Sequence, residues 1–262
     1  MQNFLGICQL SVIPIRANPE HRSEMVSQLI FGDTFEILAQ ENQWLKIKNR
    51  DDDYEGWVNE SQVSEINEDF LNDLEKQATF LTREVNVMLL KGSLREPIYV
   101  PAGSLLPFYE ASKCRINQDI YQVTSSNIFI PNQEEFASDI TETAKMFLNV
   151  PYLWGGRTHA GIDCSGFAQI VFKMLGIQLK RDASQQAEQG KLVDFLTEAK
   201  AGDLAFFDNE EGRITHVGIM LNNSQIIHAS GRVKIDRIDN QGIFAVEQNK
   251  YTHRLRIVKR FI

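Results

Sequence analysis

One short stretch constrains this chain more than any other. Pro151-Tyr152-Leu153-Trp154-Gly155-Gly156 runs into Gly161-Ile162-Asp163-Cys164-Ser165-Gly166-Phe167. The segment is rich in turn residues up to Cys164, after which Phe167, Ile170, Val171, Met174 and Leu175 recur at helical spacing. Cys164 therefore stands at the start of a helix. Unpaired amides and the positive end of the helix dipole favour a thiolate there, and the spacing predicts a thiol pKa below the free value of about 8.5.

Two apolar runs downstream each carry a histidine, Thr215-His216-Val217-Gly218-Ile219-Met220-Leu221 and Gln225-Ile226-Ile227-His228-Ala229-Ser230. Asn222-Asn223-Ser224 between them is turn chemistry, so the pair reads as an antiparallel hairpin. A plain two-residue turn would pair Val217 with His228 and send the two imidazoles to opposite faces. A three-residue connection or a bulge puts them on one face, and that register is expected. His216 then takes the proton of Cys164, and His228 holds the other nitrogen of the His216 ring. Cys164, His216 and His228 are also competent zinc ligands, but no Cys-x-x-Cys or His-x-x-x-His pair supports a metal site. No metal and no cofactor is expected.

An Asp-Cys-Ser-Gly-Phe helix start, then His-Val-Gly-Ile, then His-Ala, together with the aromatic and double-glycine lead-in and Gly202-Asp203-Leu204, resembles the NlpC-type cell-wall cysteine peptidases, a papain-like family. The resemblance covers roughly 131–262. It implies Cys164 as nucleophile, His216 as base, His228 as third member, and Tyr152 with the Cys164 amide as the oxyanion hole. The implied fold class is α+β, helices packed on an antiparallel sheet. An entry helix is expected over Pro131 to Val150, with Phe136, Ile140, Ala144, Phe147 and Leu148 on one side. A last strand is expected over Arg254 to Val258.

The N-terminal half has another texture. From about residue 4 to 63 short strands alternate with turns, as in a small barrel. Phe31-Gly32-Asp33, Trp44-Leu45-Lys46-Ile47 and Tyr54-Glu55-Gly56-Trp57-Val58 resemble bacterial SH3-like domains. Ser64 to Leu81 reads as a connecting helix through Ile66, Phe70, Leu71, Leu74 and Ala78, and strand-like pieces from about 80 to 130 read as a second, divergent SH3-like barrel. The expected division is 1–63, a helix over 64–79, then 80–130 and 131–262.

Specificity is read mainly from resemblance. Relatives mostly carry Thr or Ser after the Arg of a Leu-x-Arg segment, where this chain has Leu179-Lys180-Arg181-Asp182. The subgroup sharing that Asp, with two SH3-like domains, comprises dipeptidyl-peptidases that require a free N-terminal L-Ala and cut after D-Glu. The resemblance thus implies a γ-D-glutamyl-L-diamino-acid endopeptidase acting on murein peptides, with Asp182 facing the substrate ammonium. Asp182 followed by Gln185 is also a capping box, which needs no substrate. Asp163, Ser165 and Trp154 are further candidates for substrate contact, with Glu24 and Tyr54 from the first barrel. An endopeptidase without an N-terminal requirement, an acyltransferase and a non-catalytic wall-binding module remain as other readings.

A net charge of −8 argues against nucleic-acid partners, and no apolar run reaches the ~18 residues of a membrane span. Three cysteines far apart suggest no disulfide framework and a reducing compartment, so a cytoplasmic monomer is expected. A periplasmic address is the alternative if a leader has been removed. Nothing selects between lysine and diaminopimelate on the leaving side.

Overall fold

The computed structural model describes residues 4–262, and the chain divides into two compact units, Met1–Pro131 and Asn132–Ile262. Each is a separate solution to burying apolar strand faces.

In the first unit a seven-stranded antiparallel sheet has the spatial order Met25–Ile30, Val12–Arg16, Glu55–Asn59, Trp44–Asn49, Thr34–Glu41, Phe4–Cys8, Val63–Ile66. Alternating residues turn Ile13, Ile15, Leu29, Phe35, Leu45, Ile47 and Val58 into one core. Gly32 turns the chain at φ +86°, and a Cβ there would lie 2.2 Å from the Leu105 carbonyl oxygen, so only glycine fits.

The expected helix over Ser64 to Leu81 is shorter than its periodicity implied. Val63–Ile66 instead pairs along Phe4–Cys8, with Leu5 opposite Ile66. Helix α1 spans only Glu68–Glu75 and begins where the Asn67 side chain accepts the Phe70 amide at 2.8 Å. A free sheet edge and a strong cap outweighed the helical spacing.

Residues after α1 form a four-stranded sheet, Glu96–Pro101, Asn86–Lys91, Asp119–Val123, Lys113–Ile116, and a two-stranded one, Ile128–Phe129 with Leu81–Thr82. Within this stretch Leu105 makes only an isolated bridge to Leu81, and residues 106–109 are turn and coil, with Phe108 at φ +53°. Val87, Leu89, Val100, Leu106, Cys114 and Tyr121 share one core with Leu5, Ile7, Phe31 and Leu71, so the seven-stranded and four-stranded sheets of this unit bury a common interior.

The second unit is mixed α+β. Helix α2, Phe136–Lys145, follows a short 3-10 turn and buries Phe136, Ile140 and Ala144. It stops before the expected end because Asn149 takes φ +67°, and Leu148 stays exposed. Helix α3, Cys164–Met174, is buried on nearly every side, and Phe136 and Phe147 of the α2 region meet its Phe172 and Phe167 edge to face.

The expected antiparallel sheet beside it also closes on itself. Lys250–Arg260, Leu204–Asp208, Ile214–Asn222, Gln225–Ser230, Arg232–Asp239 and Gly242–Ala245 pair in that order, and Gly242–Ala245 returns to Lys250–Arg260 to complete a six-stranded antiparallel barrel. Closure leaves no free edge on these six strands. One face of the strands encloses Ala205, Phe207, Met220, Ile226, Ile238, Ile243 and Val258. Val246 to Gln248 is a turn that feeds the last strand, which starts four residues before the expected Arg254.

Candidate active site

The nucleophile turn is built around Asp163. Its side chain caps α3 by accepting the Gly166 amide at 2.7 Å, and it also accepts the Gly155 amide at 2.8 Å. The buried Arg181 guanidinium grips the same carboxylate in two-pronged fashion, Nη2 to Oδ2 at 2.5 Å and Nη1 to Oδ1 at 3.1 Å. Arg181 Nη1 also donates to Ser165 Oγ at 2.8 Å. Gly166 is obligatory, because a Cβ would sit 2.3 Å from the Gly156 carbonyl oxygen. The two glycine-bearing segments of the motif thus lock into each other, and Cys164 sits between them.

Cys164 is a free thiol, 6% exposed. The sequence expectation of a depressed thiol pKa is corrected: burial pushes it up, the Asp163 carboxylate pushes the same way, and the Val217 and Ser165 amides with Arg181 pull down too little, leaving it at about 11. The helix start acts as expected, but desolvation wins. The Val217 amide that reaches the sulfur belongs to the residue after His216, which puts the thiol at the edge of the first histidine strand.

The register of the histidine hairpin decides the base. Ile219 pairs with Ile227 and Met220 with Ile226, with a register shift between Met220 and Asn222 at the turn. That irregularity gives His216 and His228 the same face, and His216 Nε2 lies 2.9 Å from His228 Nδ1. Gly218 between them is needed, since a Cβ there would approach His228 Cβ to 2.9 Å.

Asp236 was not singled out in the sequence, yet it completes the line. Its Oδ2 lies 3.1 Å from His228 Nε2, Lys234 Nζ lies 3.1 Å from the same oxygen, and Oδ1 accepts the Val246 amide at 3.1 Å. Burial alone would raise this carboxyl. The hydrogen bonds from His228, Val246 and Lys234 outweigh it and hold Asp236 at about 2.

An ionised carboxylate only accepts, so His228 carries its proton on Nε2 and presents a bare Nδ1. His216 must then donate from Nε2, and its own Nδ1 is left bare. Burial first, then His228, His253 and Lys234, pull His216 well below 6.5, so the ring is neutral at pH 7. The result is a neutral thiol, reached by the amide of the residue after His216, and a neutral imidazole whose free nitrogen is fixed by a carboxylate two rings away. This arrangement can take a proton as a bond forms at sulfur.

Tyr152 is half-buried and tied to the barrel by its amide, which donates to the Gly231 carbonyl at 2.9 Å. Burial first, then Cys164 and Asp163, raise its hydroxyl to about 12, so it is a permanent donor at neutral pH. A second unforeseen residue is His253, whose ring stacks on His216 with centroids 4.1 Å apart and planes at 24°. It lies in the long last strand, where only the portion from Arg254 onward was expected to be extended.

The remaining candidates fall in different places. Asp182 is half-buried at the start of α4, Ala183–Gln186, in a capping box with Gln185, whose Oε1 accepts the Asp182 amide at 3.2 Å. Trp154 is 59% exposed beside the nucleophile turn. Ser165 Oγ is held between Arg181 and Asp163. Glu24 and Tyr54 belong to the first unit: Glu24 is exposed and its carbonyl accepts the Ala17 amide, while half-buried Tyr54 donates its amide to Asp52 Oδ1 at 3.0 Å.

Comparison with known proteins agrees with this geometry. Residues 149–253 match the NlpC/P60 family, and residues 15–63 match the bacterial dipeptidyl-peptidase SH3 domain. The chain is 29% identical over 241 residues to a γ-D-glutamyl-L-lysine dipeptidyl-peptidase of Bacillus subtilis, covering 86% of this chain and 75% of that one. It is 25% identical over 256 residues to dipeptidyl-peptidase 6 of Lysinibacillus sphaericus, covering 86% and 88%. The crystal structure of an NlpC/P60 family protein from Bacillus cereus superposes with a TM-score of 0.82 at 20% identity, over 98% of this chain and 99% of that one, which establishes a shared fold. Two matched domains in one order, a whole-chain fold and a cysteine at its helix start lead to one assignment: the chain carries an NlpC/P60 peptidase domain behind an N-terminal bacterial SH3-like domain.

Proposed function

We propose that this protein is a cysteine dipeptidyl-peptidase that hydrolyses the amide between γ-D-Glu and an L-diamino acid in free murein peptides, releasing L-Ala-D-Glu. The observation that carries the chemistry is the aligned set of His216, His228 and Asp236, on a strand whose Val217 amide reaches the Cys164 sulfur. Support for the bond cut comes from the names of relatives that align with 86% of the chain.

Cys164 Sγ attacks the γ-carbonyl carbon as its proton passes to His216 Nδ1. The Tyr152 hydroxyl and the Cys164 amide hold the oxyanion, a role worth about 100- to 1000-fold in rate per donor. His216 then gives the proton to the departing α-amine, the C–N bond breaks, and a thioester remains. Water, deprotonated by the same nitrogen, hydrolyses it. Asp182 faces the substrate's free ammonium, with Trp154 and Ser165 flanking the peptide. Asp163 has its oxygens engaged by five donors of its own chain and acts here as the support of the turn.

The three buried free thiols, with no disulfide among the described residues, favour a reducing compartment and peptide recycling in the cytoplasm. Among the described residues no helix is long and apolar enough to cross a membrane.

The test is mass spectrometry of L-Ala-γ-D-Glu-L-Lys, and of its diaminopimelate counterpart, after incubation with the protein. L-Ala-D-Glu plus the free diamino acid is the expected product pair, and Cys164→Ala is expected to abolish it while leaving the fold intact. Equal cleavage of the N-acetylated peptide would remove the amine pocket at Asp182. Full activity of Cys164→Ala would remove the mechanism.

A further inference from the structure

His253 has no part in the hydrolysis described above, yet it is stacked on the base. One nitrogen of each of His216, His228 and His253 lies within 4.8 Å of one nitrogen of both others. Three imidazoles with nitrogens this close offer a donor set for borderline transition-metal ions such as Zn²⁺ and Cu²⁺ once His253 turns out of its stack on His216. Two neighbouring features favour the same reading. His228 is already oriented by a carboxylate on its other nitrogen, Asp236 Oδ2 at 3.1 Å, the outer-shell partner that metal-bound histidines usually have. A pocket lined by Tyr152, Thr215, His216, Gly231 and His253 gives an ion, and the water that would complete its coordination, a way in from solvent.

We infer that His216, His228 and His253 form an inhibitory site for a divalent transition-metal ion of the zinc and copper class. At metal–nitrogen distances of about 2.0–2.1 Å the ligand nitrogens of a tetrahedral ion stand roughly 3.4 Å apart. The 2.9 Å contact between His216 and His228 opens slightly, and His253 swings inward. The ion takes the lone pair of His228 Nδ1 and, on His216, occupies Nε2. The single proton of the neutral His216 ring moves from Nε2 to Nδ1, so no proton is lost. That transfer removes the bare nitrogen which receives the thiol proton, and the peptidase is silenced without any bond to Cys164.

The silencing rests on the proposed hydrolytic role of His216, whereas metal binding itself does not, and the experiment separates the two. The Cys164→Ala protein is titrated with Co²⁺ and followed by absorbance, then with Zn²⁺ as competitor. One ion per chain is expected, with visible ligand-field bands, no thiolate charge-transfer band, and displacement by Zn²⁺. His253→Phe keeps a stacking ring without a donor nitrogen and, in the Cys164→Ala background, is expected to weaken binding by about 10-fold or more. His253→Asn is the second variant, with circular dichroism of both as the folding control. In protein with the thiol intact, Zn²⁺ is expected to inhibit reversibly with EDTA, and His253→Phe to raise the inhibiting concentration by a similar factor. Failure of Cys164→Ala to bind Co²⁺, or equal metal affinity in a folded His253 variant, would overturn the site. Binding without inhibition would overturn the silencing and leave the site standing.

Discussion

Asp163 and Asp236 are both buried carboxylates of the catalytic unit, and the molecule uses them in opposite ways. Asp163 is neutralised by a guanidinium and spent on backbone amides: it makes a turn rigid and holds Cys164 at a helix start. Asp236 has the weaker partner in Lys234, accepts one backbone amide from Val246 and accepts its remaining hydrogen bond from a ring, so its charge is felt as a choice of tautomer at His228 and then at His216. The difference teaches that burial of a charge is not one device. Saturated with fixed donors it gives geometry, and coupled to imidazoles it gives proton placement.

The comparison breaks most visibly at Asp163. Asp163→Ala removes the carboxylate that neutralises the buried Arg181 guanidinium, and urea unfolding is expected to show a loss of about 3–5 kcal/mol. A loss under about 1 kcal/mol would mean the ion pair is not what holds the turn. Asp236→Asn is the complementary experiment. An amide can donate to His228 Nε2 and reverse both tautomers, so kcat is expected to fall by roughly 100- to 1000-fold with little change in KM, by analogy with an orienting Asp→Asn change in a catalytic triad. Unchanged kcat would show that the rings are set by something else. Tyr152→Phe is expected to cost about 100-fold in kcat through the lost oxyanion donor, with unfolding little affected.

A smaller effect is read from the buried imidazoles by pH. Burial holds His216 and His228 below 6.5 and His253 at about 4. Below about 6.5 the unfolded chain takes up protons on these rings that the folded chain refuses, so stability falls as the pH falls. The slope is about 1.4 kcal/mol per pH unit for each ring still neutral, and His253 leaves the sum below about 4. Urea midpoints between pH 7 and pH 5 measure it, and His253→Phe is expected to remove one ring's share. Identical slopes in the two proteins would contradict the burial of His253 as a neutral ring.

Which residues could be read in advance follows from how local their signals are. Cys164 announces itself within a few residues of turn and helix, and each catalytic-strand histidine sits inside its own apolar run, so the hairpin register could be argued from a single loop. Asp236 and His253 carry no such pattern. Asp236 reaches His228 from the adjoining strand, where Lys234 is the residue paired with His228, and His253 reaches His216 through Leu204–Asp208, which pairs with both of their strands, contacts that the spacing within one strand does not encode. Arg181 was visible in its segment, but its embrace of Asp163 spans eighteen positions of chain. The thiol pKa was misjudged for the same reason: the helix amides are a local feature, and the desolvation that outweighs them is a property of the assembled core. In the first unit, helical spacing after residue 63 lost to a sheet edge supplied by Phe4–Cys8, again a distant partner.

The central claim is that Asp236 sets the protons of two successive imidazoles and so leaves His216 Nδ1 bare. Nitrogen-15 NMR of the histidine rings in the Cys164→Ala protein at pH 7 reads this directly. The account predicts neutral His216 and His228, both protonated on Nε2 only. A proton on His216 Nδ1, or a doubly protonated His216, would contradict it.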